Sequence, residues 1–394
     1  MTDFDVIVVG AGLSGAVMAE RFASQQNKKV LVVEQREHIG GNCYDYHNEY
    51  GITVHKYGPH LFHTSKEHVW EYLSQFTQWT PYEHKVLGSV NGKLVPIPFN
   101  LNTLHALYPK NEAQEIEALL VEHYGLGGKV PILELRKSSY EELQQLGEFV
   151  YQKFFVNYTS KQWGCSPEDI SPAVTARVPV VISTDDRYFH DKYQAIPSKG
   201  YSHLITNMLE HPNISIRLNC DATKLLKLNM DSHTISFDDK IFTGKLVFTG
   251  MLDQLFNYVE GELPYRSLQF DFQTLKQSEF QPATTVNHPN EHVYTRITEF
   301  KHILKQQTSH TTIVKEYPQQ YDRNDESKNV PYYPIFNEKN QQSYDCYKAL
   351  VDCFPNILST GRLADYKYYN MDDAVENALQ NFNKLVDIKR QIVC

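Results

Sequence analysis

The strongest constraint on the fold is a glycine-rich turn near the start of the chain. Gly10-Ala11-Gly12-Leu13-Ser14-Gly15 has the spacing G-x-G-x-x-G and follows an apolar strand that begins at Asp5. An amphipathic helix from Ser14 to Gln25 comes next, and then a second strand, Val30 to Val33, which runs into Glu34. This order is that of a βαβ unit that binds a dinucleotide.

Each residue type in this unit suits a phosphate-linked ligand. Glycines let the backbone approach a pyrophosphate, and the N-terminus of the helix supplies N–H donors and positive potential. A carboxylate at the end of the second strand can accept hydrogen bonds from ribose hydroxyls. The sequence therefore predicts that the cofactor is bound by Gly10, Gly12, Ser14, Gly15 and Glu34.

Composition and net charge limit the class of protein to which the chain can belong. The chain has 394 residues, 41% hydrophobic and 22% charged, which indicates a globular protein of two or three packed units. No apolar run approaches the roughly 18 residues of a membrane span, and no signal-peptide pattern is present, so we expect a cytoplasmic protein. A net charge of −9 argues against general nucleic-acid binding. The six cysteines lack the spacing of a structural metal site, so we expect no metal.

The spacing of hydrophobic residues changes along the chain. Residues 96–158 read as helical, with long stretches at Asn111 to Tyr124 and Ser139 to Phe155. Residues 266–336 carry short alternating runs that predict antiparallel strands, among them His292 to Ile297 and Thr311 to Tyr317. The chain then returns to α/β character, with a strand at 356–360 and a helix at 371–388.

A double glycine soon after Glu34 favours FAD over NAD. Ile39-Gly40-Gly41-Asn42 resembles flavoproteins of the glutathione-reductase superfamily, in which the chain passes close to the FAD at this point. Ser359-Thr360-Gly361-Arg362 resembles the turn ahead of the helix that, in such folds, points its N-terminus at the flavin. The dipole of that helix, which here begins near Met371, would stabilise the negative charge of reduced flavin.

These features together predict an α/β protein with three domains. The Rossmann-like FAD-binding domain, of the glutathione-reductase type, is discontinuous and comprises residues 1–80, 200–262 and 340–394. A helical domain is inserted at residues 96–170. A small antiparallel β-sheet domain comprises residues 81–95, 171–199 and 263–339.

Four further stretches resemble bacterial UDP-galactopyranose mutases. They are Tyr57 to Thr64, Phe154 to Gly164, Arg177 to Pro197, and Gly361 to Met371. The stretches occur in the same order as in that family, and the resemblance extends over essentially the whole chain.

The resemblance implies roles for individual side chains. The uridine-binding wall in the helical domain would consist of Phe154, Phe155, Tyr158, Thr159 and Trp163. Arg177, on a mobile loop, and Arg296 would flank the diphosphate, because planar guanidinium groups bind phosphate oxygens well. Further substrate contacts would come from Tyr188, Tyr332, Tyr333, Tyr368 and Asn370. It is open which of Tyr332 and Tyr333 faces the ligand.

The resemblance also implies the surroundings of the flavin. His60 and His63 would lie beside it, with His63 among the catalytic residues, and Arg362 would contact it. Gly41, Asn42 and Met371 complete the expected cofactor-binding set.

Two positions depart from the family pattern. Asn370 stands where the family commonly has Asp, and Val181 stands where a basic residue is expected. We expect Asn370 to cap the helix that begins at Met371, because Asn is a favoured N-cap residue.

The family resemblance implies an isomerase that uses flavin without net oxidation. Reduced FAD would attack the anomeric carbon through N5, UDP would leave, and a covalent flavin–sugar adduct would allow the ring to reclose as the furanose. The substrates would be UDP-galactose and UDP-galactofuranose, an electron donor would keep the FAD reduced, and the protein would be a homodimer. The alternatives are a flavin-dependent oxidoreductase of the same fold and a mutase that prefers UDP-N-acetylgalactosamine, although His63 argues against the second.

Overall fold

The structure, a computed structural model, describes residues 3–164 and 179–393, with the backbone alone for residues 387–393. Its strands are β1 (Val6–Val9), β2 (Val30–Val33), β3 (Asp45–His47), β4 (Thr53–His55), β5 (Phe62–Thr64), β6 (Trp79–Pro81), β7 (Val86–Val90), β8 (Lys93–Ile97), β9 (Lys129–Pro131), β10 (Pro179–Val181), β11 (Tyr193–Pro197), β12 (Ile214–Arg217), β13 (Leu226–Asn229), β14 (Thr234–Phe237), β15 (Lys240–Phe242), β16 (Lys245–Phe248), β17 (Tyr265–Leu275), β18 (Thr285–Asn287), β19 (Arg296–Glu299), β20 (Thr311–Gln320), β21 (Tyr333–Pro334) and β22 (Ile357–Ser359). Its α-helices are α1 (Leu13–Gln26), α2 (Glu67–Ser74), α3 (Leu101–Leu107), α4 (Lys110–Tyr124), α5 (Ile132–Leu135), α6 (Glu141–Val150), α7 (Asn157–Trp163), α8 (Tyr201–Leu209), α9 (Leu252–Leu255), α10 (Glu338–Asp352) and α11 (Met371–Val393).

A five-stranded parallel sheet forms one layer of the molecule. Its strand order is β12-β2-β1-β16-β22, and each neighbouring pair is parallel. Strands β1 and β2 consist of aliphatic residues that are almost entirely buried, as expected for a sheet covered on both faces. The predicted βαβ unit is confirmed, and so is the predicted α/β fold class with a Rossmann-like domain.

A seven-stranded sheet forms the second layer of the molecule. Its order is β21-β17-β20-β19-β18-β7-β8, and every pair is antiparallel except β18 with β7. The longest pairing joins β17 and β20 from Arg266–Gln320 to Leu275–Thr311. The predicted strand at Thr311 to Tyr317 is therefore correct but extends to Gln320.

The strand predicted at His292 to Ile297 is wrong over its first four residues. The strand starts at Arg296 and continues to Glu299. Before it, the ammonium of Lys161 donates to the carbonyls of His288 and His292, at 2.8 and 2.7 Å. Because those carbonyls bind a side chain, the segment forms a loop against α7 instead of a strand.

The helical segment follows the predicted order with one irregularity. Asn100 caps α3 by accepting a hydrogen bond from the Thr103 N–H at 2.9 Å. Between α6 and α7 the chain forms π-helical turns over Tyr151–Val156. Wider turns of this kind are often found at functional sites.

Among the described residues, three clusters of buried side chains stabilise the molecule. Two of them contain residues of the parallel sheet, and the third joins α3–α6 and the π-helical turns to β7–β10. The division into three domains with the boundaries given above stays a prediction. Within residues 3–164 and 179–393, no helix is long and apolar enough to cross a membrane.

A glycine inside α6 generates a test of the packing. A Cβ at Gly147 would lie 2.7 Å from the N atom of Arg136 and 2.8 Å from the C atom of Leu135. Helix propensity alone predicts that Gly147→Ala stabilises α6 by about 1 kcal/mol. We expect instead that it lowers the free energy of unfolding by about 1–3 kcal/mol, because backbone atoms cannot easily move away.

Urea unfolding followed by circular dichroism measures this difference. Gln144→Ala, at an exposed position of the same helix, is the matched control and should change stability by no more than about 0.5 kcal/mol. A stabilising Gly147→Ala substitution would contradict the close packing of α6 on the segment that follows α5.

Candidate active site

A large open cavity lies at the carboxyl ends of β1, β2 and β16, with a volume of about 1170 Å³ including open solvent. This is where open parallel sheets bind nucleotides. All ten residues predicted to bind the cofactor line this nucleotide cavity: Gly10, Gly12, Ser14, Gly15, Glu34, Gly41, Asn42, His60, Arg362 and Met371.

The glycines of the cavity are required by close backbone contacts. A Cβ at Gly15 would lie 2.0 Å from the carbonyl oxygen of Gly10. Gly41 has a φ of +54°, and a Cβ there would lie 2.8 Å from the Cα of Gly12. Side chains at these positions would force the adjacent backbone segments apart, so the glycines are required for the close packing of the turns that line the cavity.

Glu34 is held in place by backbone donors. Its carboxylate accepts from the N–H of Ala11 at 2.8 Å and from the N–H of Arg36 at 3.0 Å. The residue is only 5% exposed. A fixed carboxylate on the cavity wall has the acceptor chemistry that a ribose hydroxyl needs.

Arg36 was missed in the sequence analysis. Its guanidinium lies over the ring of Tyr57 at 4.1 Å, and Nη2 donates to Oδ1 of Asn42 at 2.9 Å. Nη1 is buried and has no hydrogen-bond partner among the described residues. Because Arg36 lines the cavity, this unpaired donor fits an anionic or hydroxyl-bearing ligand such as FAD. The sequence feature that could have identified Arg36 was its position two residues after Glu34.

The start of α11 closes one side of the nucleotide cavity. The carboxylate of Asp373 accepts from the backbone N–H of Asn370 at 3.1 Å, and the N–H of Ala374 donates to the carbonyl of Asn370. The expectation that the Asn370 side chain caps this helix is thus not met, since the carboxylate of Asp373 and the backbone of Asn370 form the hydrogen bonds there. The Asn370 side chain is exposed and lines the cavity.

A second cavity lies between the helical segment and the seven-stranded sheet. Its lining includes Phe154, Tyr158 and Tyr188 from the predicted substrate set, together with Val181 and Asn287. Phe155 and Thr159 are buried and are not part of this lining. Phe155 instead stacks on Tyr151, with ring centroids 5.6 Å apart.

Arg296 is fixed by a carboxylate from the neighbouring strand. The residue pairs with Glu316 in the β19–β20 register, and its Nε donates to Oε1 of Glu316 at 2.7 Å. The Glu316 side chain is only 2% exposed. Burial alone would lower the pKa of Arg296, but Glu316 raises it well above the usual value, so the guanidinium stays charged. Glu316 was also missed from the sequence, because no local pattern predicts this pairing.

Aromatic side chains surround the arginines. Tyr333 stacks on Tyr368 at 5.3 Å, and the guanidinium of Arg362 lies 5.6 Å from the Tyr333 ring. Trp163 lies 6.3 Å from the same ring. Tyr332 is 3% exposed and packs edge-on against Phe270. Of the two adjacent tyrosines, Tyr333 is therefore the one that joins Arg362, Tyr368 and Trp163.

The two histidines have different environments. Nδ1 of His60 lies 2.9 Å from the carbonyl oxygen of Gly58, which can only accept, so Nδ1 carries the proton. Burial lowers the pKa of His60 to about 3, so the ring is neutral near pH 7. His63 binds Oδ2 of Asp191 through Nδ1 at 2.8 Å and stacks on Phe189 at 3.6 Å. Asp191 had not been identified from the sequence.

Arg177 lies outside the described residues, so its position relative to the cavities stays a prediction. Over the ranges 3–164 and 179–393, no group of three His, Cys, Asp or Glu side chains has the arrangement of a metal site.

Comparisons with known proteins show which family the chain resembles. A family model described as UDP-galactopyranose mutase matches residues 153–368, and a model of an NAD(P)-binding Rossmann-like domain matches residues 8–76. A probable UDP-galactopyranose mutase of Klebsiella pneumoniae is 33% identical over 390 residues, which covers 98% of this chain and 96% of that protein. A dTDP-fucopyranose mutase of Escherichia coli is also 33% identical, over 95% of this chain and 96% of that protein.

The fold is similar to that of a solved member. A crystal structure of reduced UDP-galactopyranose mutase superimposes with a TM-score of 0.73 and 16% identity, and the match covers 98% of this chain and 95% of that one. With the family model matching over half of the sequence and the relatives matching nearly all of it, the chain belongs to the UDP-galactopyranose mutase family.

Proposed function

We propose that the protein interconverts UDP-galactopyranose and UDP-galactofuranose and requires reduced FAD. The observation that carries the proposal is the charged, partly exposed Arg296, which buried Glu316 fixes and which interacts with Tyr158 and Tyr333. Its charge also acts on His60, which lines the nucleotide cavity. A diphosphate leaving group needs this kind of preorganised positive charge. The proposal also includes the homodimer and the electron donor for FAD that the family resemblance implies, and the cytoplasmic location expected from the sequence.

The nucleotide cavity is the proposed FAD site. The glycines leave room for the pyrophosphate, Glu34 can accept from the adenosine ribose, and the unpaired Nη1 of Arg36 can donate to an oxygen of the cofactor. When bound, reduced FAD supplies a nucleophilic N5 for attack on the anomeric carbon as the nucleotide diphosphate departs. His60 is neutral and can only accept through Nε2, because Nδ1 is used by Gly58.

Arg296 would neutralise the departing diphosphate. Its Nε is bound to Glu316, so the Nη groups are the donors that can reach phosphate oxygens. The Glu316 carboxylate fixes the plane of the guanidinium before the substrate arrives. Arg296 therefore needs little reorientation during the reaction. Arg177 is proposed as the second arginine on the diphosphate.

The second cavity is the proposed site for the nucleoside. Phe154, Tyr158 and Tyr188 would contact the base and ribose, since aromatic rings stack on a base and a phenol can also form hydrogen bonds. Phe155 and Thr159, which are buried behind this wall, would support it. Trp163, Tyr333, Tyr368, Asn370 and His63 remain the proposed contacts around the sugar and diphosphate.

The relative that is named a dTDP-fucopyranose mutase gives a second candidate substrate. It shares as much of its sequence with this chain as the UDP-galactopyranose mutase relative does. Sequence identity therefore does not decide between a UDP-linked and a dTDP-linked sugar, and both substrates should be tested.

The direct test is an anaerobic incubation with dithionite. UDP-galactofuranose and dTDP-fucofuranose are supplied separately, and the products are resolved by chromatography. We expect conversion of UDP-galactofuranose with reduced enzyme and none with oxidised enzyme, because oxidised N5 is not nucleophilic. Conversion of dTDP-fucofuranose alone would replace the proposed substrate, and steady oxygen consumption without isomerisation would favour the oxidoreductase alternative.

The Arg296–Glu316 pair makes a graded prediction for turnover. Arg296→Ala should lower kcat about 10²–10³-fold, the usual loss when one stabilising donor is removed. Glu316→Gln keeps the shape but removes the anion that fixes Nε, so its effect should be smaller and in the same direction. Initial rates with the reduced enzyme measure the effect of each substitution on kcat. Unchanged circular dichroism spectra show that both variants are folded. Normal turnover of Arg296→Ala would rule out its assigned role.

Arg36 makes a prediction for cofactor affinity. Arg36→Met should weaken FAD binding about tenfold to 100-fold, because a hydrogen bond to a charged group contributes about 1.5–3 kcal/mol. Apo-protein is titrated with FAD, and the quenching of flavin fluorescence gives Kd.

Arg323→Met is the matched control. Arg323 also lies 4.1 Å from a tyrosine ring, that of Tyr258, but outside the nucleotide cavity. Equal FAD affinity for Arg36→Met and Arg323→Met would exclude a contact between Arg36 and the cofactor.

A further inference from the structure

Three carboxylates at the start of α11 surround one lysine. The ammonium of Lys66 lies 3.3 Å from Oδ2 of Asp372, 2.5 Å from Oδ1 of Asp373 and 2.7 Å from Oε2 of Glu376. Lys66 precedes α2, so its contacts also join α2 to α11. The Lys66 side chain is 27% exposed, and the Asp372 side chain is 9% exposed.

These charges lie at the helix end that borders the nucleotide cavity. Met371 and Ala374, in the first turn of α11, are part of the cavity lining. The N-terminus of a helix carries the equivalent of roughly half a positive charge, which favours a nearby anion. Three carboxylates without a counter-charge would oppose that field. Lys66 reduces their net charge from three negatives to two.

The other polar groups at this cluster do not replace the lysine. Thr64 donates its hydroxyl to Asp372 at 2.9 Å, and the N–H of Asn370 donates to Asp373 at 3.1 Å, but both groups are neutral. His68 lies 3.4 Å from Glu376, and its side chain is 59% exposed. Burial alone would lower the pKa of Lys66, but the hydrogen bonds that its ammonium donates to Asp373 and Glu376 raise it, so the ammonium stays charged at neutral pH.

We propose that Lys66 sets the reduction potential of the bound flavin by offsetting the carboxylates of α11. The inference rests on the proposed FAD site. Two electrons and one proton convert FAD into its anionic reduced form, which carries one more negative charge than the oxidised form. A positive charge near the start of α11 stabilises that anion, and the carboxylates destabilise it. Lys66 therefore favours the reduced state that the proposed isomerisation requires.

The test measures the midpoint potential of the FAD-loaded full-length protein. Under anaerobic conditions dithionite supplies the electrons, and a reference dye reports the potential. Lys66→Met should make reduction at least about tenfold less favourable, a shift of about −30 mV for a two-electron couple. Lys66→Arg, which keeps the charge, should retain the original potential. Lys348→Met breaks an exposed pair with Asp352 on α10 and serves as the control.

Removal of a carboxylate should shift the midpoint potential in the direction opposite to removal of Lys66. Glu376→Gln removes one carboxylate and should raise the potential, and the double variant Lys66→Met with Glu376→Gln should return towards the original value. These variants also test the charge balance if Lys66→Met alone does not fold. A merely structural role for Lys66 would change stability but would not give this ordered series of potentials.

Two failures can be distinguished. If the protein binds no FAD, the proposed cofactor is wrong and this inference falls with it. If the variants bind FAD, as the absorbance spectrum shows, but have the same potential as the parent within experimental error, only the role of Lys66 is wrong.

Discussion

The close contact of glycine turns at the end of the parallel sheet is the constraint on which the rest of the site depends. Gly12 and Gly41 approach so closely that a Cβ on Gly41 would lie 2.8 Å from the Cα of Gly12. Gly361, with a φ of +103°, belongs to a third turn, and a Cβ on it would lie 3.1 Å from Oγ of Ser14. Since these turns touch, α1 and α11 both begin at one cavity. Two positive helix ends therefore border the same space, which suits a ligand that carries a diphosphate and an anionic ring.

The sequence predicts those parts of the molecule that depend on neighbouring residues. The β1–α1–β2 unit was predicted to within a residue because four aliphatic residues, a glycine turn and a helix follow one another directly. All ten predicted cofactor residues line one cavity, and besides residues of the glycine turns they include Glu34 at the end of β2 and Met371 at the start of α11. Long-range pairs are different. Glu316 meets Arg296 only because β19 and β20 adopt one register, and Asp191 meets His63 only because β5 pairs with β11. No local pattern carries that information.

The loop before Arg296 shows how tertiary contacts override a local pattern. Alternating aromatic and polar residues predicted a strand from His292, yet Lys161 binds the His292 carbonyl, which a strand would offer to its neighbour. The same lysine belongs to α7, which also carries Tyr158 and Trp163. The aromatic wall and the strand of Arg296 are thereby joined. A similar limit applies to Phe154 and Phe155, because adjacent residues on a helix face different sides and only the packed structure decides which side borders the cavity.

Asn370 connects the family pattern to the charges of this particular chain. An Asp at this position would add a carboxylate to a helix start that already has three, of which Lys66 offsets one. Asn adds none. The backbone of Asn370, not its amide, forms the first contacts of α11, because Asp373 accepts from its N–H and Ala374 donates to its carbonyl. The amide is therefore exposed at the cavity, where it offers two donors and one acceptor to a ligand. The departure from the family pattern thus avoids additional negative charge next to the proposed flavin while keeping a side chain that can contact the substrate.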